Sequence, residues 1–149
     1  MNMIYTLPTW LILQKEITDT DYVQMISIME QNDLSRYLID KGQFYLVKDE
    51  EKIVAFGRLF EIGTNKYELW SLRVDKHYRW HKLWLAISEL LIHDKQWDNQ
   101  IYLATRRTLG QYYEKLWFHI ITTNIPEKLI YTRKRAQEHG IDVIIMQYE

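Results

Sequence analysis

Short apolar runs separated by charged or turn-forming stretches cover almost the whole chain, and their period alternates between that of a strand and that of a helix. Trp10 to Gln14 is a short apolar run suited to a first strand. Thr18 to Asp21 then supplies N-cap chemistry for a helix carrying Tyr22, Met25, Ile26 and Met29 at helical spacing. Leu34 to Ile39 predicts a short second helix before Gly42. Phe44 to Val47 and Ile53 to Ile62 read as two strands joined by the charged turn Lys48 to Lys52, which makes a hairpin. Gly63-Thr64-Asn65 turns the chain again into Tyr67 to Val74, so three consecutive antiparallel strands are expected.

Beyond Val74 the period changes. Leu83, Ile87, Leu90 and Leu91 follow i, i+4, i+7, i+8 spacing, which lays one helix face against a sheet. Ile101 to Ala104 predicts a strand, Thr108 to Leu116 a helix, and Phe118 to Thr122 another strand. Such alternation requires crossover connections and some parallel pairing. Pro126 suits the first turn of a helix running to Gly140, a C′ glycine, and Ile141 to Tyr148 closes the chain as a strand. The fold class is α/β with a mixed, mostly antiparallel sheet of six to seven strands and helices on both faces.

Composition narrows the function classes. A length of 149 residues and a mass of 18.3 kDa correspond to one domain, and 47% apolar residues with five glycines and two prolines argue against long disordered segments. A net charge of -1 gives no general attraction to nucleic acid or to anionic membrane, although Arg106-Arg107 and Arg133-Lys134-Arg135 form local basic clusters that read as solvated helix ends. No cysteine is present, which excludes disulfides, thiolate nucleophiles and Cys-based metal sites. His77 and His81 stand at i, i+4, but no cysteine and no carboxylate beyond Asp75 completes a ligand set, so no metal is expected. Met1 to Leu13 lacks a basic leader, and no stretch approaches the roughly 20 apolar residues that cross a bilayer. These features lead us to expect a soluble cytoplasmic protein.

The chemistry-bearing stretch is Leu72-Arg73-Val74-Asp75-Lys76-His77-Tyr78-Arg79-Trp80-His81-Lys82-Leu83-Trp84, a hydrophobic strand that passes through a basic turn into a helix. A second stretch is Tyr112-Tyr113-Glu114-Lys115-Leu116-Trp117-Phe118. Together with the element order, these resemble the GNAT superfamily of acyl-CoA-dependent N-acetyltransferases over nearly the whole chain. In that superfamily the turn reads Arg/Gln-x-x-Gly-x-Gly/Ala and the second motif Tyr-x-x-x-Gly-Phe. Arg79 is in place, whereas Lys82, Trp84 and Trp117 stand where glycine is usual. The helix from Pro126 to His139 also departs from the family pattern.

The resemblance implies acetyl-CoA as cosubstrate and a small-molecule or protein amine as acceptor, attacked directly in a ternary complex. The backbone of Leu72, Arg73 and Val74 would pair with the pantetheine arm as an added strand. The turn from Arg79 through Trp80, His81, Lys82, Leu83 and Trp84 would hold the pyrophosphate at a helix N-terminus. Tyr113 would protonate the leaving thiolate, a task suited to a phenol whose ordinary pKa of about 10 exceeds that of a thiol. Glu68, six residues before Val74, would be the general base.

Bland readings stand beside these. Tyr113 packs a helix on the sheet, and Glu68 is solvated or paired with Arg58 or Arg73. The turn itself has two readings. Either the helix end keeps its donors and Arg79, His81 and Lys82 add charge, or the indoles of Trp70, Trp80, Trp84 and Trp117 fill the cleft of a silent, CoA-free binding module. The aromatic content would also suit a homodimer.

Overall fold

A computed structural model describes residues 7–32 and 43–149, with the side chains of Ser71, Leu72, Trp80 and His81 outside the description. The expected helix at Leu34 to Ile39 lies outside the described residues. The order is β1 (Ile12–Gln14), α1 (Asp19–Gln31), β2 (Gln43–Asp49), β3 (Lys52–Gly63), β4 (Lys66–Val74), α2 (Leu83–Lys95), β5 (Gln100–Arg106), α3 (Gly110–Glu114), β6 (Phe118–Ile120), α4 (Glu127–Glu138) and β7 (Val143–Tyr148). Two 3-10 segments, Lys76–His81 and Arg107–Leu109, precede α2 and α3.

Seven strands form one sheet in the order β1-β2-β3-β4-β5-β7-β6, antiparallel throughout except for the β4–β5 pair. That agrees with the expected mixed α/β sheet. β2 shows why both faces are covered. Phe44 and Leu46 pack with Met25 and Met29 of α1, while Tyr45 and Val47 join Leu83, Ile87 and Leu91 of α2 on the opposite face. A strand buried on both faces has no polar alternation to show. At the far side of the sheet α4 inserts Leu129 against Tyr102 and Ile145, whereas Tyr113 and Leu116 join the α2 face.

Local chemistry accounts for the helix ends. Thr18 and Asp21 form a capping box at α1, the side chain of each accepting from the other's backbone N–H. Asp21 is buried and also paired at 2.6 Å with Lys48, so one carboxylate ties the helix start to β2. α4 begins after Pro126, which acts as the N-cap rather than the first helical residue, and ends with Gly140 at φ 71, the expected C′ glycine. The expected Thr108–Leu116 helix divides into a 3-10 turn and the five residues of α3.

β4 carries the irregularity that matters for function. Phe56 pairs with Arg73 but Arg58 pairs with Trp70, so β4 has one residue more than β3 across Ser71–Leu72. This is a bulge, which bends the strand and reverses its facing. Before it, Glu68 and Trp70 face the α4 side; after it, Val74 joins the α2-face core and Arg73 lies opposite Phe56 on the α1 side. Parallel pairing with β5 stops at Glu68 and Tyr102, although β4 runs on to Val74 and β5 to Arg106.

Candidate functional site

The parting of β4 and β5 leads into a cleft of about 540 Å³ lined by Arg73, Val74, Arg79, Trp84, Leu109, Tyr112 and Tyr113. Its floor is the end of β4, one wall is the turn into α2, and the other is the 3-10 turn with α3. Five of the eleven residues proposed from the sequence therefore meet in one cavity: Arg73, Val74, Arg79, Trp84 and Tyr113. Leu109 and Tyr112 complete the lining without having been singled out. Tyr112 was legible as the neighbour of Tyr113, but only the short α3 sets both rings toward the same cleft.

The turn is built from 3-10 and left-handed backbone. Asp75 caps the Lys76–His81 segment by accepting from the His77 N–H at 2.9 Å, a bond that, with Lys52 nearby, holds its carboxyl below the usual range. Tyr78 donates to Asp49 at 2.6 Å and anchors the segment to the β2–β3 hairpin. Arg73 and Arg79 both donate to the carbonyl of Val74, the latter at 3.4 Å, which gathers two guanidinium groups at the strand end. Arg73 Nε is buried with no hydrogen-bond partner among the described residues.

Lys82 joins the 3-10 segment to α2 with φ 55 and ψ 36. This is the left-handed region that glycine enters without steric cost. The backbone therefore has the conformation of a glycine turn although the residue is lysine. Trp117, also a bulky residue where the resemblance implies glycine, behaves alike with φ 70 and a largely exposed indole. Trp84 differs, because it lies inside helical backbone in the first turn of α2. At that position a glycine would provide room rather than a special φ.

An anion can be held at this helix end. The first helical hydrogen bond to a preceding residue runs from Ala86 N to the Lys82 carbonyl, which leaves the N–H groups of Leu83, Trp84 and Leu85 without helical acceptors. No acidic residue stands in the first turn and no side chain caps it. Leu83 is wholly buried, so its contribution to a ligand is its backbone. Thirteen residues of α2 direct their dipole at that point, with Arg79 beside it. The Trp84 indole stands edge-on to Tyr112 and Tyr113 at centroid distances of 5.9 and 5.7 Å and forms a wall of the cleft. These features fit a pyrophosphate at the turn and an extended amide-bearing arm along β4.

Tyr113 packs on Trp84 and on Phe118, and burial pushes its phenol pKa up. Its hydroxyl makes no hydrogen bond with the described protein groups, so the packing and acid readings are compatible. Glu68 is 4% exposed on the opposite sheet face, where it accepts from Lys128 Nζ of α4. Burial raises its pKa, against the opposing pull of Lys128 and Arg58. The expectation of a solvated carboxylate is thus corrected: beside the positive charge of Arg58, α4 supplies Lys128, which lies sixty residues away along the chain. The aromatic cleft is corrected too. Trp70 lies on the α4 face between Arg58 and Lys128, and Trp117 is outside the cleft, which leaves Trp84 as the described tryptophan of that set in the lining.

The described residues contain no group of three or more His, Asp or Glu placed to hold a metal ion, and no described helix is long and apolar enough to cross a membrane.

Comparison with known proteins agrees with this geometry. The acetyltransferase (GNAT) family model matches residues 10–116. No curated protein matches the sequence. Among solved structures, N-acetylglutamate synthase from Neisseria gonorrhoeae, complexed with coenzyme A and N-acetyl-glutamate, superposes with a TM-score of 0.71 at 12% identity, covering 95% of this chain and 35% of that one. The ribosomal-protein-S18-alanine N-acetyltransferase from Escherichia coli gives 0.67 at 18% identity over 93% and 92% of the two chains. An acetyltransferase of the GNAT family from Staphylococcus aureus gives 0.64 at 19% identity over 93% and 98%. The family model spans well over half of the chain, and on that ground the chain belongs to the GNAT acetyltransferase family.

Proposed function

We propose that this protein transfers an acetyl group from acetyl-CoA to a primary amine, with both substrates bound together. The observation that carries the reading is the continuous track from the edge of β4 freed beyond Glu68, through Val74 and Arg79, to the uncapped N-terminus of α2. The backbone at Leu72, Arg73 and Val74 pairs with the pantetheine amides, and the free amides of Leu83, Trp84 and Leu85, beyond the turn residue Lys82, hold the pyrophosphate with Arg79. Trp80 and His81 border the same turn. When bound, acetyl-CoA supplies an activated thioester carbonyl.

The remaining chemistry belongs to the chain. Glu68, whose pKa is raised by burial, takes a proton from the acceptor ammonium so that the nitrogen lone pair is free to attack. Tyr113 lies on the other side of the parted strands and keeps its proton above the ordinary phenol range, so it can give that proton to the leaving thiolate. N-acetylglutamate synthase and the ribosomal-protein alanine acetyltransferase both carry amine-acetylation in their names, which supports an amine acceptor.

Calorimetry with CoA and acetyl-CoA tests the donor site directly. Binding heat, lost on Arg79→Ala, is expected. Absence of heat at millimolar CoA would replace the acyltransfer reading with that of a silent module. Given binding, Glu68→Gln should lower the acetylation rate of a primary-amine panel by roughly 10²-fold or more, with the CoA dissociation constant unchanged.

A further inference from the structure

Glu68 already has an amine bound to it. Lys128 Nζ donates to its carboxylate from α4 and lies 4.8 Å from the centroid of the Trp70 ring. Its side chain is 32% exposed, while that of Glu68 is 5% exposed. A lysine ammonium therefore occupies the place that the acceptor amine takes in the acetyltransfer reading. The helix is lightly docked: Leu129 is its one buried residue, while Ile130 and Tyr131 are 46% and 60% exposed.

We propose that Lys128 is an acyl acceptor of this same site, so that the protein acylates itself at Lys128 and thereby discharges the contact that holds α4 over Glu68. The inference rests on the acetyl-CoA reading above and extends it to a modification site. Its geometry is that of a bound substrate: the primary amine touches the base and lies over an indole face, and the pairing of β4 with β5 ends at Glu68, so the sheet parts beside the carboxylate. Arg58, also against Trp70, adds positive charge near the carboxylate and favours its ionised, proton-accepting form.

The step balances without a further reagent. Glu68 takes one proton from the Lys128 ammonium. The nitrogen lone pair then forms an N–C bond to the thioester carbonyl carbon as the C–S bond breaks; Tyr113 gives its proton to the departing sulfur, and the second nitrogen proton restores the phenol. Products are an N-acyl lysine, a free thiol and one proton that Glu68 returns to water. The amide is neutral, so the ion pair cannot re-form.

The test combines mass spectrometry of the full chain with hydrogen exchange. Incubation with acetyl-CoA should add one acetyl group, assigned to Lys128 by peptide fragmentation, at a rate independent of protein concentration and roughly 10²-fold above that of the exposed Lys134. Glu68→Gln should abolish the Lys128 excess while CoA binding heat persists. Without any donor, Lys128→Gln, the uncharged counterpart of the acyl-lysine, should exchange α4 amides faster than Lys128→Arg, which keeps the charge. CoA heat with Lys128 labelled no faster than Lys134, or equal α4 protection in the two variants, would overturn the proposal alone. Absence of CoA heat would overturn it together with the acyltransfer reading.

Discussion

Replacing Lys82 by glycine should stabilise the protein, although it deletes a long side chain and a charge. Lys82 has φ 55 and ψ 36, a conformation that costs an L-residue about 1–2 kcal/mol through the clash of Cβ with the backbone. Glycine removes that cost but loses about 0.4–1 kcal/mol through the greater freedom of the unfolded chain. The expected net gain is about 0.5–1 kcal/mol, or roughly 1–4 °C in Tm for a chain of this size. Lys82→Ala is the control, because alanine retains Cβ and the full left-handed penalty while removing the same charge.

Urea denaturation of the three proteins at equal pH reads the difference as a shift in midpoint at constant slope. The order glycine above wild type, with alanine near or below wild type, is expected. Equal stability of the glycine and alanine variants would refute the strain argument, since side-chain loss is then the whole effect. Trp117→Gly extends the logic to a second left-handed position, where φ is 70 and the lost indole is 63% exposed.

Tyr113→Phe keeps the ring contacts to Trp84 and Phe118, so stability should change by less than about 0.5 kcal/mol while the acetylation rate falls roughly 10²-fold; an unchanged rate would assign Tyr113 to packing. Trp84→Ala should cost about 1–3 kcal/mol by removing two edge-on aromatic pairs and should weaken CoA binding in calorimetry, whereas tighter binding would identify the indole as a plug. Asp21 has its carboxyl at about 2 instead of 3.8, because its bonds to Lys48, Thr18 and Gln14 outweigh a desolvation that acts the other way. A depressed pKa contributes stability above pH 3.8 that is lost as pH falls toward 2, about 1–2 kcal/mol after allowance for solvent screening. Asp21→Asn should therefore lower the urea midpoint at pH 7 and match wild type near pH 2; a parallel offset at both pH values would refute the linkage.

Local order was readable in the chain because strands and helices leave different apolar periods. Leu83, Ile87 and Leu91 on α2 fall where the helical period places them, and Phe44 to Val47, buried on both faces of β2, was marked by the length of its apolar run. Turn chemistry was readable for the same reason: Thr18 with Asp21, and Gly140, act on groups within four residues. The two motifs likewise brought Arg79, Trp84 and Tyr113 to a single cleft.

What the tertiary structure decided involves facing and distance along the chain. Strict alternation would put Glu68 and Val74 on one face, six residues being an even number, but the extra residue at Ser71–Leu72 reverses the strand between them. The donor cleft and the buried carboxylate consequently lie on opposite sides of the sheet. Lys128 could be joined to Glu68 only by the packing of α4 through Leu129, because no local periodicity records a contact sixty residues apart. Lys82 shows the converse: its identity argued against a glycine turn, yet the packing of α2 against the sheet holds the backbone in the left-handed form whatever residue stands there. Sequence determined the order and type of most described segments, since those depend on near neighbours. Only the assembled sheet decided which side chains meet, since that depends on a bulge, a parting of two strands and one distant helix.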